Sequence, residues 1–92
     1  MSYHVMVSKR AERDFDAIFD HIAQDSLRNA VSCTDNLTSR LRVLIESPRI
    51  GRKHNGSDTK RIFIIDRYKI YYRIIDSKKR VWISYIKHER QS

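Results

Sequence analysis

The sequence contains few of the residues that form cross-links or interrupt regular structure: one cysteine, one proline and two glycines among 92 residues. Lone Cys33 excludes an internal disulfide scaffold and is typical of a reducing cytoplasm. No apolar run approaches the roughly 18 residues of a bilayer-spanning helix, and the first residues lack the basic and apolar segments of a signal peptide. We therefore expect one cytoplasmic domain over residues 1–92, without membrane contact.

Positive charge is abundant and unevenly distributed. The chain carries a formal net charge of +8. Residues 1–48 hold six Lys/Arg and seven Asp/Glu, for a net charge of −1, whereas residues 49–92 hold thirteen and four, for a net charge of +9. A charge concentrated in one half predicts an anionic partner, which is either a nucleic acid, a nucleic-acid machine or an acidic protein.

Apolar spacing divides the chain into six regular elements and one long loop. Periods near 3.6 residues predict helices, and β-rich runs or alternation predict strands. Ser8 and Ser26 are suitable N-caps, and Pro48 ends the second helix. The predicted elements, in chain order, are strand Tyr3–Val7, helix Lys9–Gln24, a helix from Ser26 to Ser47, loop 49–60, and strands Arg61–Ile65, Tyr68–Ile75 and Arg80–Lys87.

This order predicts an α+β fold of β-α-α-β-β-β type. An antiparallel helical hairpin should cover one face of a sheet that ends in a three-stranded antiparallel meander. Four consecutive apolar residues in strand Arg61–Ile65 predict burial on both faces. Alternation over Tyr68–Ile75 places Ile70, Tyr72 and Ile74 in the core and the intervening Lys69, Tyr71 and Arg73 on the opposite face.

The basic and aromatic second half supplies the candidate site. Lys and Arg neutralise phosphates, and tyrosine rings stack on bases. Histidine near the C-terminal end is a candidate acid or base because its ordinary pKa lies near neutrality. The predicted target-binding or nucleic-acid-binding residues are Arg61, Lys69, Tyr71, Arg73, Lys87 and Arg90. The predicted catalytic residues, which apply only if the protein is a nuclease, are His88, Arg73 and Arg61.

No pattern in the sequence predicts a metal or a cofactor. His4, His21 and His54 are far apart and lack the spacing of metal ligands, with one another or with Cys33. The chain contains no phosphate-binding glycine loop, dinucleotide-binding turn or nucleophile elbow. Cys33 is expected to pack in the core as a small apolar side chain.

Four segments, in order and at the right spacing, resemble the RelE/ParE superfamily of toxin–antitoxin toxins. They are Ala11–Ile18 in the first helix, Leu44–Gly51 at the end of the second, Tyr68–Ile74 in the middle strand, and Val81–Arg90 at the end. The resemblance implies a compact bacterial toxin, associated with plasmid stabilisation and growth arrest. It also implies neutralisation by a cognate antitoxin with an acidic, partly disordered segment.

The resemblance implies two alternative activities. RelE-like members cleave mRNA on the ribosome, whereas ParE-like members inhibit DNA gyrase without being nucleases. RelE-like nucleases place basic residues at alternating positions of the first meander strand, but Lys60 and Arg61 are adjacent here. Other nuclease members use Glu, Arg and a terminal His-Tyr; Glu46, either Arg61 or Arg73, and His88 match in part, yet Glu89 occupies the tyrosine position. The pattern favours a gyrase inhibitor. The alternatives are the ribosome-dependent endonuclease and an inactive relative that serves as an antitoxin sink or as a small nucleic-acid-binding module.

Overall fold

The computed structural model describes residues 2–90 and confirms the α+β class. Met1, Gln91 and Ser92, which the predicted domain of residues 1–92 includes, lie outside the described residues. The elements in chain order are β1 (His4–Val7), α1 (Lys9–Ala23), α2 (Leu27–Leu41), α3 (Val43–Glu46), β2 (Arg52–His54), β3 (Ser57–Ile65), β4 (Tyr68–Ile75), a 3₁₀ turn (Asp76–Lys78) and β5 (Arg80–His88).

The five strands form one mixed sheet in the order β1-β5-β4-β3-β2. Strands β3, β4 and β5 form the predicted antiparallel meander. The meander is only part of the sheet, because β1 pairs with β5 in parallel and β2 pairs with β3. The N-terminal strand thereby supplies partners for backbone groups along the outer edge of β5, which would otherwise need water. The periodicity of an isolated strand does not reveal which strand it pairs with.

The predicted loop 49–60 is wrong, because most of it is a β-hairpin. Asn55 and Gly56 have φ angles of 52° and 76°, as the central residues of a type I′ turn do. This turn joins β2 to β3 and places His54 opposite Ser57. The first strand of the meander therefore begins at Ser57 instead of Arg61. These strands were not predicted because their residues are polar, although Asn-Gly is a strong hairpin sequence.

Side-chain caps begin both long helices where the sequence predicts them. The Ser8 hydroxyl accepts a hydrogen bond from the Ala11 amide, and the Ser26 hydroxyl accepts one from Asn29. The first helix agrees with its prediction to within one residue. The second is interrupted: α2 ends at Leu41, and a separate short turn of helix follows from Val43 to Glu46.

The core lies between the helices and one face of the sheet, as predicted. Ala11, Leu37, Leu41 and Leu44 of the helices form one buried cluster with the inner residues of β3, β4 and β5. The inner residues of the sheet in this cluster are Ile65, Ile70, Tyr72, Ile74, Val81, Ile83 and Ile86. Burial of β3 on both faces is wrong, because Ile64 is 49% exposed.

The Asp14 carboxylate in α1 also fixes the helical layer on the sheet, because it accepts a hydrogen bond from the Ile86 amide at 2.9 Å. This contact lies beyond the end of β1, where β5 has no neighbouring strand on that side. Within residues 2–90, no helix combines the length and apolarity needed to cross a membrane.

Candidate functional site

The sheet face opposite the helices, here called the open face, brings together most of the predicted binding residues. Cross-strand pairing fixes which side chains share it, because directly opposed residues in antiparallel strands point to the same side. Lys69 lies opposite Lys87, and Tyr71 lies opposite Tyr85. The open face is defined by Lys60, Lys69, Tyr71, Arg73, Trp82, Tyr85 and Lys87.

The cations of the open face have no acidic partners among residues 2–90. The ion pairs of this region involve Arg49, Arg61 and Arg67, and none involves Lys60, Lys69, Arg73 or Lys87. Two cross-strand pairs even oppose like charges, Lys60 with Arg73 and Lys69 with Lys87. Such pairs destabilise a sheet, so fold stability does not account for them. Their combined field attracts an anionic surface.

Aromatic rings lie between these cations. The rings of Tyr71 and Tyr85 stack with centroids 4.4 Å apart and planes 21° apart. His54 meets Tyr71 edge-on at 5.4 Å, and the Arg10 guanidinium lies 4.3 Å above the Tyr85 ring. The Lys87 ammonium lies 5.9 Å and 5.5 Å from the Tyr71 and Tyr85 centroids. Helix α1 and strands β2, β4 and β5 thus hold one continuous cation–aromatic array.

A β-bulge places Trp82 and Tyr85 on the same face. Tyr71 pairs with Tyr85, but the next residue of β4, Tyr72, pairs with Ile83. Ser84 is therefore the extra residue, and its carbonyl accepts a hydrogen bond from the Ser8 hydroxyl at 2.7 Å. In a regular strand, residues three apart point to opposite faces. Because Ser84 is an extra residue, Trp82 and Tyr85 point to the same face instead.

These residues surround a cleft of about 560 Å³. Among residues 2–90, neither an acidic nor an aliphatic side chain lines it. The lining residues are His54, Asn55, Ser57, Lys60, Arg61, Tyr71, Tyr72, Arg73, Trp82, Ser84 and Tyr85. Sequence reasoning named Tyr71, Arg73 and Arg61 but missed His54, Trp82 and Tyr85. In β5 the apolar core positions are two residues apart from Val81 to Ile83 but three apart from Ile83 to Ile86. This break in the alternation was the one sequence feature that indicated the bulge.

Arg61 borders the cleft, but its guanidinium is occupied within the protein. Its cross-strand partner is Tyr72, a core residue, and Arg61 is only 9% exposed. The guanidinium donates hydrogen bonds to the carbonyls of Asp58, Arg49 and Gly51 and to the Asp58 carboxylate, at 2.8–3.1 Å. The structure therefore places Arg61 apart from the predicted set of exposed cations, because alternation along β3 turns it away from Lys60.

Arg61 belongs to a polar group at one end of the sheet, here called the Arg49 cluster, which consists of Tyr3, Arg49, Asp58, Arg61 and Asp76. Arg49 pairs with Asp58 at 2.9 Å and with Asp76 at 2.8 Å, and the Tyr3 hydroxyl donates to Asp76 at 2.7 Å. The hydrogen bond from Arg49, then that from Tyr3, lowers the pKa of Asp76 to about 2. Bonding to Arg49 also lowers the pKa of Asp58.

The hydrogen bonds of the Tyr72 hydroxyl extend this polar region into the core. Its hydroxyl donates to the Pro48 carbonyl at 2.6 Å and accepts from the Gly51 amide at 3.0 Å. Burial raises the pKa of the Tyr72 hydroxyl above its ordinary value. Gly51 is required at this contact, because a Cβ there would lie 2.7 Å from both the Ile62 carbonyl oxygen and the Tyr72 hydroxyl.

His88 and Arg90 lie at the other end of the sheet. His88 pairs with Tyr68 across the strands and contacts its ring edge-on at 5.3 Å. Its Nδ1 accepts a hydrogen bond from the Arg90 amide at 3.2 Å. Both residues line a separate cleft with His21 of α1. Since Tyr68 and Arg73 are five residues apart on β4, about 17 Å of strand separates the His88 position from that of Arg73. The predicted catalytic residues do not converge.

A third cleft, here called the apolar groove, lies between β1 and the helices and has a volume of about 490 Å³. Glu12, Asp16 and Arg42 are the charged residues among those that line it. Its apolar lining residues are Val5, Val7, Phe15, Leu41 and Ile45. Since β1 is an outer strand of the sheet, the groove lies beside an exposed strand edge.

Residues 2–90 contain no group of three or more His, Cys, Asp or Glu side chains placed to hold a metal ion. Cys33 is half-buried against the core cluster. Burial, followed by the nearby charge of Asp66, raises the pKa of its thiol. A raised pKa suppresses the thiolate.

The architecture is that of bacterial RelE/ParE toxins. The chain matches a structure described as a chromosomal ParDE system from P. aeruginosa, with a TM-score of 0.78 and 16% identity over 95% of this chain and 96% of that chain. It matches the isolated E. coli RelE toxin with a TM-score of 0.73 and 21% identity over 99% and 88%. A chain of the intact E. coli RelBE complex gives 0.72 and 20% over 98% and 100%. A search of curated proteins found no significant match.

The family model of the ParE toxin of the type II toxin–antitoxin system, parDE, matches residues 5–92. The chain therefore belongs to the ParE toxin family, within the RelE/ParE superfamily.

Proposed function

We propose that this ParE-family toxin arrests bacterial growth by inhibiting DNA gyrase in the cytoplasm and that a cognate antitoxin neutralises it. Membership of the ParE family supports the choice of gyrase. The single observation that carries the choice against RNA cleavage is the separation of His88 from Arg61 and Arg73, because His88 lies at the other end of the sheet in a different cleft. An acid, a base and charge-stabilising cations must surround one reacting phosphate, and the candidate acid or base His88 does not share the cleft of Arg61 and Arg73.

The open face is the proposed contact surface for the gyrase–DNA complex. Lys69, Tyr71, Arg73 and Lys87 form its centre, whereas the predicted binding residue Arg90 lines the separate cleft beside α1. The cations lack acidic partners among residues 2–90, so a target brings them compensating charge without breaking existing ion pairs. Arg61 has a supporting role in this proposal, because its hydrogen bonds fix the strand next to Lys60.

The proposed antitoxin segment is acidic and partly disordered before binding. Electrostatic attraction to a toxin of net charge +8 accelerates association, and folding on binding suits a long, adaptable contact. The apolar groove is the proposed seat for apolar side chains of this segment, since it offers Val5, Phe15 and Leu41 beside an exposed strand edge.

Ribosome-dependent mRNA cleavage remains the second candidate, because an open face with stacked tyrosines and unpaired cations also suits RNA. Induced expression distinguishes the two activities. Gyrase inhibition predicts filamentation and DNA damage, whereas mRNA cleavage predicts immediate translation arrest. Purified protein should inhibit supercoiling and yield gyrase-dependent DNA breaks. Absence of both effects, together with mapped cleavage of translated mRNA, would overturn the proposal.

Paired variants test the contact surface. Arg73→Gln should abolish most of the growth arrest, while Arg28→Gln, an exposed arginine on α2, should leave it intact. His88→Ala should also leave gyrase inhibition intact, because no proton transfer is required. Loss of inhibition equally in Arg28→Gln and Arg73→Gln would show that overall charge, not the open face, recognises the target.

The antitoxin site has its own test. Phe15→Asp in the apolar groove should weaken capture by the proposed acidic antitoxin, while gyrase inhibition is retained. Val31→Asp, at an exposed apolar position of α2 outside the groove, is the matched control. Unchanged antitoxin affinity in a folded Phe15→Asp variant would exclude the groove.

A further inference from the structure

We propose that the cleft at Trp82 binds a short single-stranded segment of nucleic acid, with a base stacked against the Trp82 indole and the adjoining phosphates on Lys60 and Arg73. This binding activity goes beyond gyrase inhibition and does not rest on it. No cleavage is included, because His88 lies at the other end of the sheet.

The walls of the cleft suit a flat ring. Trp82 is only partly buried, and within residues 2–90 its indole makes no stacking or cation–π contact with another side chain. By contrast, Tyr71 and Tyr85 already stack on each other, and Arg10 covers Tyr85. The tyrosines therefore form a rigid wall, and Trp82 provides the available aromatic surface. Every base has a flat π-face, so stacking tolerates different sequences.

The electrostatics of the cleft suit phosphates. Lys60 and Arg73 are directly opposed across β3 and β4, both are exposed, and no carboxylate from the described part of the chain lines the cleft. Asn55 and Ser57 add a side-chain amide and a hydroxyl at the rim, which can bond to base edges. The volume of about 560 Å³ lies within the 300–1,000 Å³ typical of small-molecule sites, so the cleft accommodates one or two nucleotides.

The lining favours a single strand over a peptide or a duplex. Within residues 2–90 no aliphatic side chain lines this cleft, so it offers no wall for the apolar side chains of a peptide, whereas the apolar groove has Val5, Val7 and Leu41. In a duplex, bases are stacked on their neighbours and cannot turn a face toward Trp82. A single strand can present both the base face and the phosphates at once.

The sole tryptophan of the chain lines this cleft, so its fluorescence reports the proposed contact. A ten-nucleotide single-stranded DNA of mixed sequence should quench Trp82 fluorescence and bind in an anisotropy titration. An abasic oligomer with the same number of phosphates should bind on the order of 10-fold more weakly and leave the fluorescence unchanged. RNA of the same sequence tests the sugar preference, and a DNA duplex of equal length should not quench.

Variants separate stacking from charge. Trp82→Leu should weaken single-strand binding by on the order of 10-fold, and Tyr71→Leu, which alters only the wall of the cleft, should weaken it less. Arg73→Gln, which changes only an exposed side chain, should reduce the slope of log affinity against log salt by roughly 0.7, while Arg28→Gln should not change it. Equal binding of natural and abasic oligomers without quenching, or equal quenching by a polyglutamate peptide, would overturn the proposal. If the protein inhibits gyrase but binds no oligomer, only this inference is overturned. If it binds the oligomer but does not inhibit gyrase, only the proposed function is overturned.

Discussion

In the Arg49 cluster every arginine contacts carboxylates or backbone carbonyls, whereas on the open face Arg73 contacts neither within residues 2–90. Arg61 and Arg73 occupy neighbouring strands of the same sheet. Arg61 lies opposite the core residue Tyr72, and Arg73 lies opposite Lys60. The residue directly opposite on the neighbouring strand thus distinguishes Arg61, which is buried and neutralised, from Arg73, which is exposed.

The arginines of the Arg49 cluster therefore stabilise the fold, whereas the cations of the open face are available to bind a partner. A buried guanidinium is favourable only when its donors are satisfied, and Arg61 satisfies this condition through three carbonyls and one carboxylate. The exposed cations repel one another, and that repulsion is relieved when an anion binds. Substitutions in the two regions should therefore have opposite consequences for stability and for target binding.

The largest expected effect on stability is that of Arg61→Met. The substitution keeps much of the side-chain volume but leaves the carbonyls of Arg49, Gly51 and Asp58 without their donor. We expect a loss of roughly 2–4 kcal/mol in the free energy of unfolding, measured by urea denaturation. The control is Lys53→Met, the exposed cross-strand partner of Arg61, which should change stability little. Similar losses in both variants would contradict a structural role specific to Arg61.

Tyr72→Phe should have the next largest effect. It removes only the hydroxyl that bridges the Pro48 carbonyl and the Gly51 amide. The ring still fills the core, so the cost arises from two buried polar groups left without a partner, roughly 1–3 kcal/mol. Tyr85→Phe on the open face is the matched control, and thermal unfolding of both variants makes the comparison. An unchanged midpoint in Tyr72→Phe would show that water replaces the hydroxyl.

The sequence predicted the helices, the core alternation of β4 and the four cationic or aromatic residues at the centre of the open face. These depend on local periodicity, which a sequence displays directly. The β2–β3 hairpin was missed because its strands are polar and their pairing depends on turn geometry at Asn55 and Gly56. The position of Trp82 beside Tyr85 depends on the bulge at Ser84, which arises from strand pairing and from the Ser8 contact.

The two arginines could not be distinguished from sequence for the same reason. Arg61 was expected among the binding residues because it begins the basic and aromatic segment that extends to Arg90. Its burial depends on the Pro48–Gly51 backbone, which supplies carbonyl acceptors from a part of the chain ten or more residues away. Local composition contains no information on such a contact.

Acid should weaken the Arg49 cluster. The pKa of Asp76 is lowered from its ordinary value of 3.8 to about 2. A lowered carboxyl pKa contributes stability above the ordinary value, and that contribution is lost as the pH falls toward the folded-state pKa. Thermal midpoints of the natural protein and Asp76→Asn should therefore differ most near pH 6 and converge between pH 4 and pH 2. Asp20→Asn on α1 is the control; a constant difference for Asp76→Asn would rule out this linkage.

Arg73→Gln should have the smallest effect on stability, although it is expected to have a large effect on growth arrest. The side chain is exposed, has no acidic partner within residues 2–90 and faces the like charge of Lys60. Exposed substitutions of this kind usually change the free energy of unfolding by no more than about 0.5 kcal/mol, and relief of repulsion favours the variant slightly. Urea denaturation and induced growth arrest should be measured on the same protein. A loss of stability near that of Arg61→Met would mean that Arg73 also supports the fold, and the distinction between the two regions would fail.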